Sequence, residues 1–260
     1  MTYLNFHLIF ILPVIGVVWW LRRNEKLVAL PWQRRGIVML TLIALVYTTP
    51  WDNYLVAREI WAYGEGRVIE PLIIGYVPIE EYLFFILQPT MTGFFLLLYA
   101  GRQGVGKAVF SQPLQRGRPA WLGASFWLFL TGFGVACLTV LTERFTYLGL
   151  ILAWACPVLA FQWAYGGGTL WSLRRLLIPA VGTPTLYLWV VDFIAIEWRI
   201  WSILPATSTG WKLVILPFEE ALFFLLTNLL VVQGLILFYQ ASCSWPIFQK
   251  KAEGSHERAT

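Results

Sequence analysis

The stretches Pro78-Ile79-Glu80-Glu81-Tyr82-Leu83-Phe84-Phe85 and Pro217-Phe218-Glu219-Glu220-Ala221-Leu222-Phe223-Phe224 decide the fold. Each places two carboxyls at the head of about 20 apolar residues, the length of a helix that crosses a bilayer. Outward from them the match continues at an offset of 139 to 140 residues. Trp32 answers Trp171, Arg34-Arg35 answers Arg174-Arg175, and Tyr47 answers Tyr187; Asp52 answers Asp192, and Ile60-Trp61 answers Ile200-Trp201. Matches in one register, polar residues among them, mark an internal repeat.

Composition identifies the solvent. Of 260 residues, 58% are hydrophobic and 13% charged, against roughly 45–50% and 25% in soluble domains. Aromatic residues make up 17%, with 15 Trp, a residue that favours the bilayer interface. A net charge of +5 would point to nucleic acid in a soluble protein. Here the basic residues fall in short loops, where membrane orientation accounts for them. Cys137, Cys156 and Cys243 show no CxxC spacing, and His7 and His256 sit at opposite ends. No zinc, haem or iron–sulfur ligand set follows from that spacing. Without a GxGxxG or Walker A loop, no flavin, nicotinamide or nucleotide is expected.

Seven apolar runs are long enough to span: about 3–20, 36–54, 77–100, 119–141, 147–165, 176–196 and 214–239. Pro50 and Asp52 end the second and Asp192 falls late in the sixth, so six spans is the alternative count. The run Leu4–Trp20 has Arg22-Arg23 after it and no basic residue before it. That polarity suits a first transmembrane helix with its N-terminus outside, not a signal peptide. With seven spans, 14 of the 19 Lys and Arg fall in loops 21–35 and 101–118, ahead of the sixth span and in the tail. Arg58, Arg67, Arg144, Arg199 and Lys212 fall on the other side. Excess Lys and Arg marks the cytoplasmic face, which puts the C-terminus inside the plasma membrane. The expected architecture is an all-α polytopic membrane protein: a first three-helix repeat (1–101), a basic linker loop and linker helix (102–145), a second three-helix repeat (146–240) and a polar cytoplasmic tail (241–260). The extra span sets both repeats the same way up, a parallel repeat about an axis along the membrane normal.

Ionisable groups inside a membrane segment are costly and suggest function; Glu80, Glu81, Glu219 and Glu220 are the candidates. A capped helix start explains part of the pattern, because Pro78 and Pro217 suit a first turn and acids there favour the helix dipole. Two copies tilt the balance toward function. Adjacent helical residues point about 100° apart, so one glutamate of each pair faces a cavity and the other a supporting group, in an order the sequence leaves open. Carboxyls sharing a dry site repel, so one can keep its proton and serve as donor. Asp52 and Asp192 recur at matched positions near the same face, with Asn53 beside the first. Tyr82, Phe84, Phe85, Phe223 and Phe224 are placed to line a hydrophobic tunnel and hold a cation against ring faces, or to pack against lipid. Glu59, Glu65, Arg67 and Glu70 read as solvated surface, and Gln88 and Asn228 as hydrogen bonds across helices.

These residues resemble a known family. Trp51-Asp52-Asn53-Tyr54 with Ile73-Ile74-Gly75-Tyr76-Val77 and the first motif is similar to the first subunit of the heterodimeric carotenoid cyclases. Leu216, the second motif and Thr227-Asn228 are similar to the second subunit. One chain holding both resembles the fused lycopene β-cyclases of archaea and some bacteria, and the cyclase domain of fungal bifunctional proteins, to about residue 240. The resemblance implies redox-neutral isomerisation of lycopene to β-carotene through γ-carotene. An acid protonates C2 of the terminal double bond, the C5=C6 bond attacks the C1 cation, and a base removes the C6 proton, with water excluded. It implies no cofactor and no metal, and as active site Pro78, Glu80, Glu81, Pro217, Glu219 and Glu220, with Glu80 and Glu219 or their neighbours as acid and base. The implied partners are lycopene, γ-carotene and membrane lipids and not nucleic acid; a homo-oligomer or association with other carotenoid enzymes is left open. The alternatives are a one-end cyclase, a hydratase that adds water to the same cation, a seven-helix transporter, and a retinal-type receptor. The last needs a Schiff-base lysine, and none lies between Val214 and Tyr239.

Overall fold

An apolar run without water around it satisfies its backbone as a helix. The computed structural model, which describes residues 1–25, 33–105 and 112–244, has seven long helices. They are α1 (Tyr3–Asn24, with a π-helical turn at His7–Ile11), α2 (Gln33–Ala57), α3 (Ile79–Arg102), α4 (Gly117–Thr139), α5 (Thr146–Ser172), α6 (Arg174–Glu197) and α7 (Phe218–Ser244). Lys26, Trp32 and Lys107, and the tail beyond 244, lie outside the described residues. Six of the helices are long and apolar enough to cross a membrane by themselves, and α2 is not among them. Its polar residues Thr41, Thr48 and Asp52 are buried, while Val38, Leu42, Ile43 and Val46 are exposed. The polar side of α2 therefore faces the bundle and its apolar side faces outward, as a lipid solvent requires.

Short strands between the helices depart from the expectation of plain surface loops. Ile73–Ile74 (β2) pairs with Val77–Pro78 (β3), and Lys212–Leu213 (β5) with Leu216–Pro217 (β6). Hence α3 and α7 begin at Ile79 and Phe218, two to four residues later than hydropathy alone predicts. Pro78 is extended (φ −69°, ψ 155°) and has no N–H to give either the strand or the helix. A third pair joins the halves: Trp61–Tyr63 (β1) runs antiparallel to Trp201–Ile203 (β4), in register Trp61↔Ile203, Ala62↔Ser202, Tyr63↔Trp201. Ala62 and Ser202 are repeat equivalents. A local two-fold passes between them, and both inter-helix loops lie at one end of the bundle, the hairpin end.

The same two-fold organises the helices. Tyr3 N–H donates to Arg67 O (2.7 Å) as Tyr147 N–H donates to Thr207 O (3.0 Å). Tyr47 OH donates to Trp154 O (2.8 Å) as Tyr187 OH donates to Phe10 O (2.6 Å). Through these tyrosines the first helix of each half touches the second helix of the other, while it packs more broadly on the third helix of its own half. The linker helix α4 stands apart and packs on α5 through small residues. A Cβ on Gly149 would lie 2.9 Å from Gly134 O, and one on Gly134 would lie 2.9 Å from Ala153 N; only glycine permits that approach. The opposite face of α4 exposes Trp121, Leu122, Phe126 and Phe129. The core is aromatic below the hairpin end (Tyr3, Trp61, Phe84, Trp154, Phe223) and aliphatic at the other (Leu96, Leu170, Val232, Ile236). The site lies in the aromatic part.

Candidate active site

Each Pro-x-Glu-Glu motif is held by its hairpin at the first turn of a helix, so its two carboxyls diverge. Glu81 and Glu220 point inward, one from each half. With Asp192 they line a small chamber, about 10 Å³ in volume, walled by Tyr3, Trp61, Phe84, Trp201, Phe223 and Phe224. Glu81 accepts hydrogen bonds from Tyr63 OH (3.1 Å) and from Tyr3. Glu220 Oε1 accepts from Tyr147 OH (2.6 Å) and Trp61 Nε1 (3.3 Å). Trp61 and Tyr63 are two apart on β1 and share one face of the strand, so a single strand serves both carboxyls. Loss of solvation, then the Glu81 carboxylate, pushes the Tyr63 phenol well above its ordinary range. It therefore stays a neutral donor.

Glu80 and Glu219 do different work. Glu80 Oε1 accepts the Ile69 N–H (3.0 Å), and Glu219 Oε1 accepts both the N–H and the hydroxyl of Thr209 (2.7 Å each). Ile69 and Thr209 are repeat equivalents, so these two glutamates lash the same loop to the same helix start in each half. The structure places the expected acid–base positions Glu80 and Glu219 against loop backbone, and their neighbours Glu81 and Glu220 on the chamber.

Asp52 and Asp192 are fully buried. Asp192 Oδ1 accepts from Trp201 Nε1 (2.9 Å), while neither Asp52 oxygen has a hydrogen-bond partner. Asn53 and Tyr82 do not reach the chamber. Asn53 accepts the Tyr76 N–H (2.9 Å) and donates to Tyr82 OH (3.1 Å), and Tyr82 donates to Ile74 O (2.9 Å), which pins the first hairpin to α2. Gln88 donates to Asn228 (2.8 Å), a bond across helices as its position suggests. Among the described residues no cluster of three or more His, Cys, Asp or Glu is arranged to hold a metal ion.

A second, larger space adjoins the first. A cleft of about 100 Å³ runs between α2, α3, α5 and α7, lined by Tyr47, Phe84, Phe85, Trp154, Phe223 and aliphatic side chains as deep as Leu40 and Leu230. Phe84 and Phe223 line both spaces, so the two rings stand between an apolar cleft and the carboxyls. From Thr48 to Leu40 the α2 wall descends eight residues, roughly 12 Å at 1.5 Å per residue.

Several site residues carry no signal that spacing rules detect. Tyr3, Tyr63 and Tyr147 are single tyrosines near span ends, where an interfacial anchor is the ordinary explanation. The repeated Ile-Trp pairs at 60–61 and 200–201 mark the loop as more than surface, and that was the available clue. His7 has no metal partner, yet it is buried. Its Nε2 lies 2.8 Å from Glu80 O, and a carbonyl only accepts, so Nε2 carries the proton. The ring stacks on Phe84 at 6.1 Å, within a π-turn of the kind that often marks functional positions.

Comparison with known proteins finds close relatives. The chain is 45% identical over 210 residues to a lycopene beta-cyclase of Halobacterium salinarum (strain ATCC 29341 / DSM 671 / R1), covering 81% of this chain and 84% of that one. It is 34% identical over 241 residues to a bifunctional lycopene cyclase/phytoene synthase of Aspergillus oryzae, covering 91% of this chain and 39% of the fungal protein. Its Aspergillus niger counterpart is 38% identical over 204 residues, covering 78% and 34%. No family model and no solved structure matches. With two facing carboxyls, an apolar cleft beside them and a relative this similar over most of both chains, the protein belongs to the membrane-integral lycopene β-cyclase family.

Proposed function

We propose that the protein is an isomerase that cyclises the ends of lycopene to β-rings by acid–base chemistry, with Glu81 and Glu220 as the proton-transferring pair. The observation that carries this is their position: one carboxyl from each half, in one aromatic-walled chamber beside Phe84 and Phe223, which also line an apolar cleft. The chain needs no redox group for the reaction. One carboxylic acid gives its proton to C2 of the terminal double bond, and the C5=C6 bond closes on the resulting C1 cation. The other carboxylate takes the proton from C6. Tyr63 and Tyr147 hold the two carboxyls and donate to whichever is ionised. Glu80 and Glu219 position the helix starts. Because both halves face one chamber, there is a single site, and the two ends react in succession with γ-carotene between them. The Lys and Arg excess at the other end of the bundle supports a hairpin end outside the cell and a C-terminus in the cytoplasm, with the chain in the plasma membrane.

The test is expression in lycopene-accumulating cells, followed by pigment chromatography. Glu81→Gln and Glu220→Gln are each expected to leave lycopene uncyclised. Full β-carotene yield from both variants would end the assignment, and absence of any ring from the wild-type chain would end the lycopene proposal itself.

A further inference from the structure

The two halves share a scaffold but not a set of rings. On the side where α2 faces α5, Trp51 stacks on Trp154 (4.6 Å between centroids, 20°) and on Phe223 (5.7 Å, 6°), and Trp154 stacks on Tyr47 (5.6 Å, 19°). Phe223 meets Trp61 edge-on at 6.0 Å, and Trp61 donates to Glu220. A run of aromatic rings thus connects a chamber carboxyl to the cleft. On the other side α6 faces α1, and the paired bonds of Tyr47 and Tyr187 fix which residues correspond. Trp51 is answered by Val191 and Trp154 by Phe10. Deeper in, Pro89 lines the cleft and its equivalent is Asn228. Asn228 accepts from Gln88 (2.8 Å) and Thr92 (2.6 Å) and donates to Thr185 (3.0 Å), which stitches that side together.

One detail shows that Trp154 is more than filler. Its indole N–H is buried and has no hydrogen-bond partner, a defect that destabilises and that Phe or Leu would avoid. What Trp supplies in return is the best ring face for a cation. The reaction needs one. Proton transfer breaks the acid's O–H bond, forms C2–H and leaves a positive charge at C1. The C5=C6 pair then makes the C1–C6 bond and moves the charge to C5. The C6–H pair restores C5=C6 as the proton passes to the carboxylate, so no atom is gained or lost. A carboxylate in contact with a tertiary cation would capture it as an ester, whereas a ring face stabilises it without bonding.

We infer that Trp154, backed by Trp51, is the cation-stabilising face of the reaction, and that cyclisation takes place only on the α2–α5 side of the two-fold. This rests on the lycopene cyclisation proposed above. The test uses the full chain in lipid vesicles loaded with lycopene, comparing Trp154→Leu, Trp154→Phe and, as its repeat counterpart, Phe10→Leu. Trp154→Leu should lower turnover about 30-fold with little change in half-saturating lycopene, and should divert product toward a C1 alcohol through capture of the unshielded C1 cation by water, whose surplus proton passes to the carboxylate. Trp154→Phe should regain part of the lost rate, staying several-fold below wild type, and lose the alcohol, and Phe10→Leu should match wild type in both. Equal losses from Trp154→Leu and Phe10→Leu, or an unchanged rate and product in Trp154→Leu, would overturn the inference while wild-type ring formation left the lycopene proposal standing. Should Trp154→Leu fail to insert, Trp154→Phe decides: a several-fold lower turnover is expected, and a full rate overturns the inference.

Discussion

Strands β1 and β4 are paired residue for residue across the two-fold, yet they hold different groups. β1 gives Trp61 to Glu220 and Tyr63 to Glu81, one donor to each half. β4 gives Trp201 to Asp192 and carries Ile203 where β1 carries Tyr63. Duplication made the scaffold symmetric, and side-chain divergence made the chamber polar in one sense. The acid and base proposed above must differ although they descend from one residue; unequal hydrogen bonding to two equivalent carboxyls is a direct way to make them differ.

That contrast can be attacked at several depths. The largest effect belongs to the inner carboxyls. Glu81→Gln and Glu220→Gln should each slow cyclisation about 10²–10⁴-fold, measured as ring formation per inserted protein, whereas Glu80→Gln and Glu219→Gln should retain most turnover in chain that stays folded. A larger loss from the outer pair would reverse their assigned roles. Next comes Tyr63→Phe, which removes a donor from Glu81 and should reduce turnover about tenfold, since a hydrogen bond to a charged group contributes roughly 1.5–3 kcal/mol. Ile203→Phe, at the equivalent position of the second half, should change turnover far less. The third difference is one of stability. Glu219 takes two bonds from Thr209 where Glu80 takes one from Ile69, so Thr209→Val should lower the melting temperature in detergent by an amount reflecting about 0.6–2 kcal/mol. The Thr209→Ser variant should restore it. Kinetics give a subtler sign of a single site: γ-carotene should rise before β-carotene and should be diluted by lycopene added later. The smallest effect is expected at the exposed Glu25–Arg102 ion pair at the far end of the bundle, where Glu25→Gln should leave thermal stability and activity unchanged.

How much was legible beforehand follows from what each feature depends on. Helices α1 to α7 are visible because a bilayer-spanning run of apolar residues has no other way to satisfy its backbone, and α2 is the weakest because its Thr41, Thr48 and Asp52 turn inward. The acidic motifs are visible because four carboxyls at the heads of apolar helices need a reason. Which glutamate of each pair faces the chamber is not visible. It depends on a hairpin of two-residue strands that fixes the start of the helix, and Val77-Pro78 looks like more helix to any hydropathy count. Trp51 and Trp154 are equally hidden, since they come from different halves and meet only because α5 docks on α2.

The contact of α1 with the other half has a consequence in time. Phe10 and Tyr187, which close the contact of α1 on α6, are 177 residues apart in the chain. At about 5–20 residues per second, the ribosome needs roughly 10–35 s to make α6 after Phe10 has been added. Through that interval one flank of α1 waits without its final neighbour. Membrane insertion of this chain is therefore paced by translation, and slowing synthesis between α3 and α6 lengthens the period in which the first helix is open to capture by other membrane proteins.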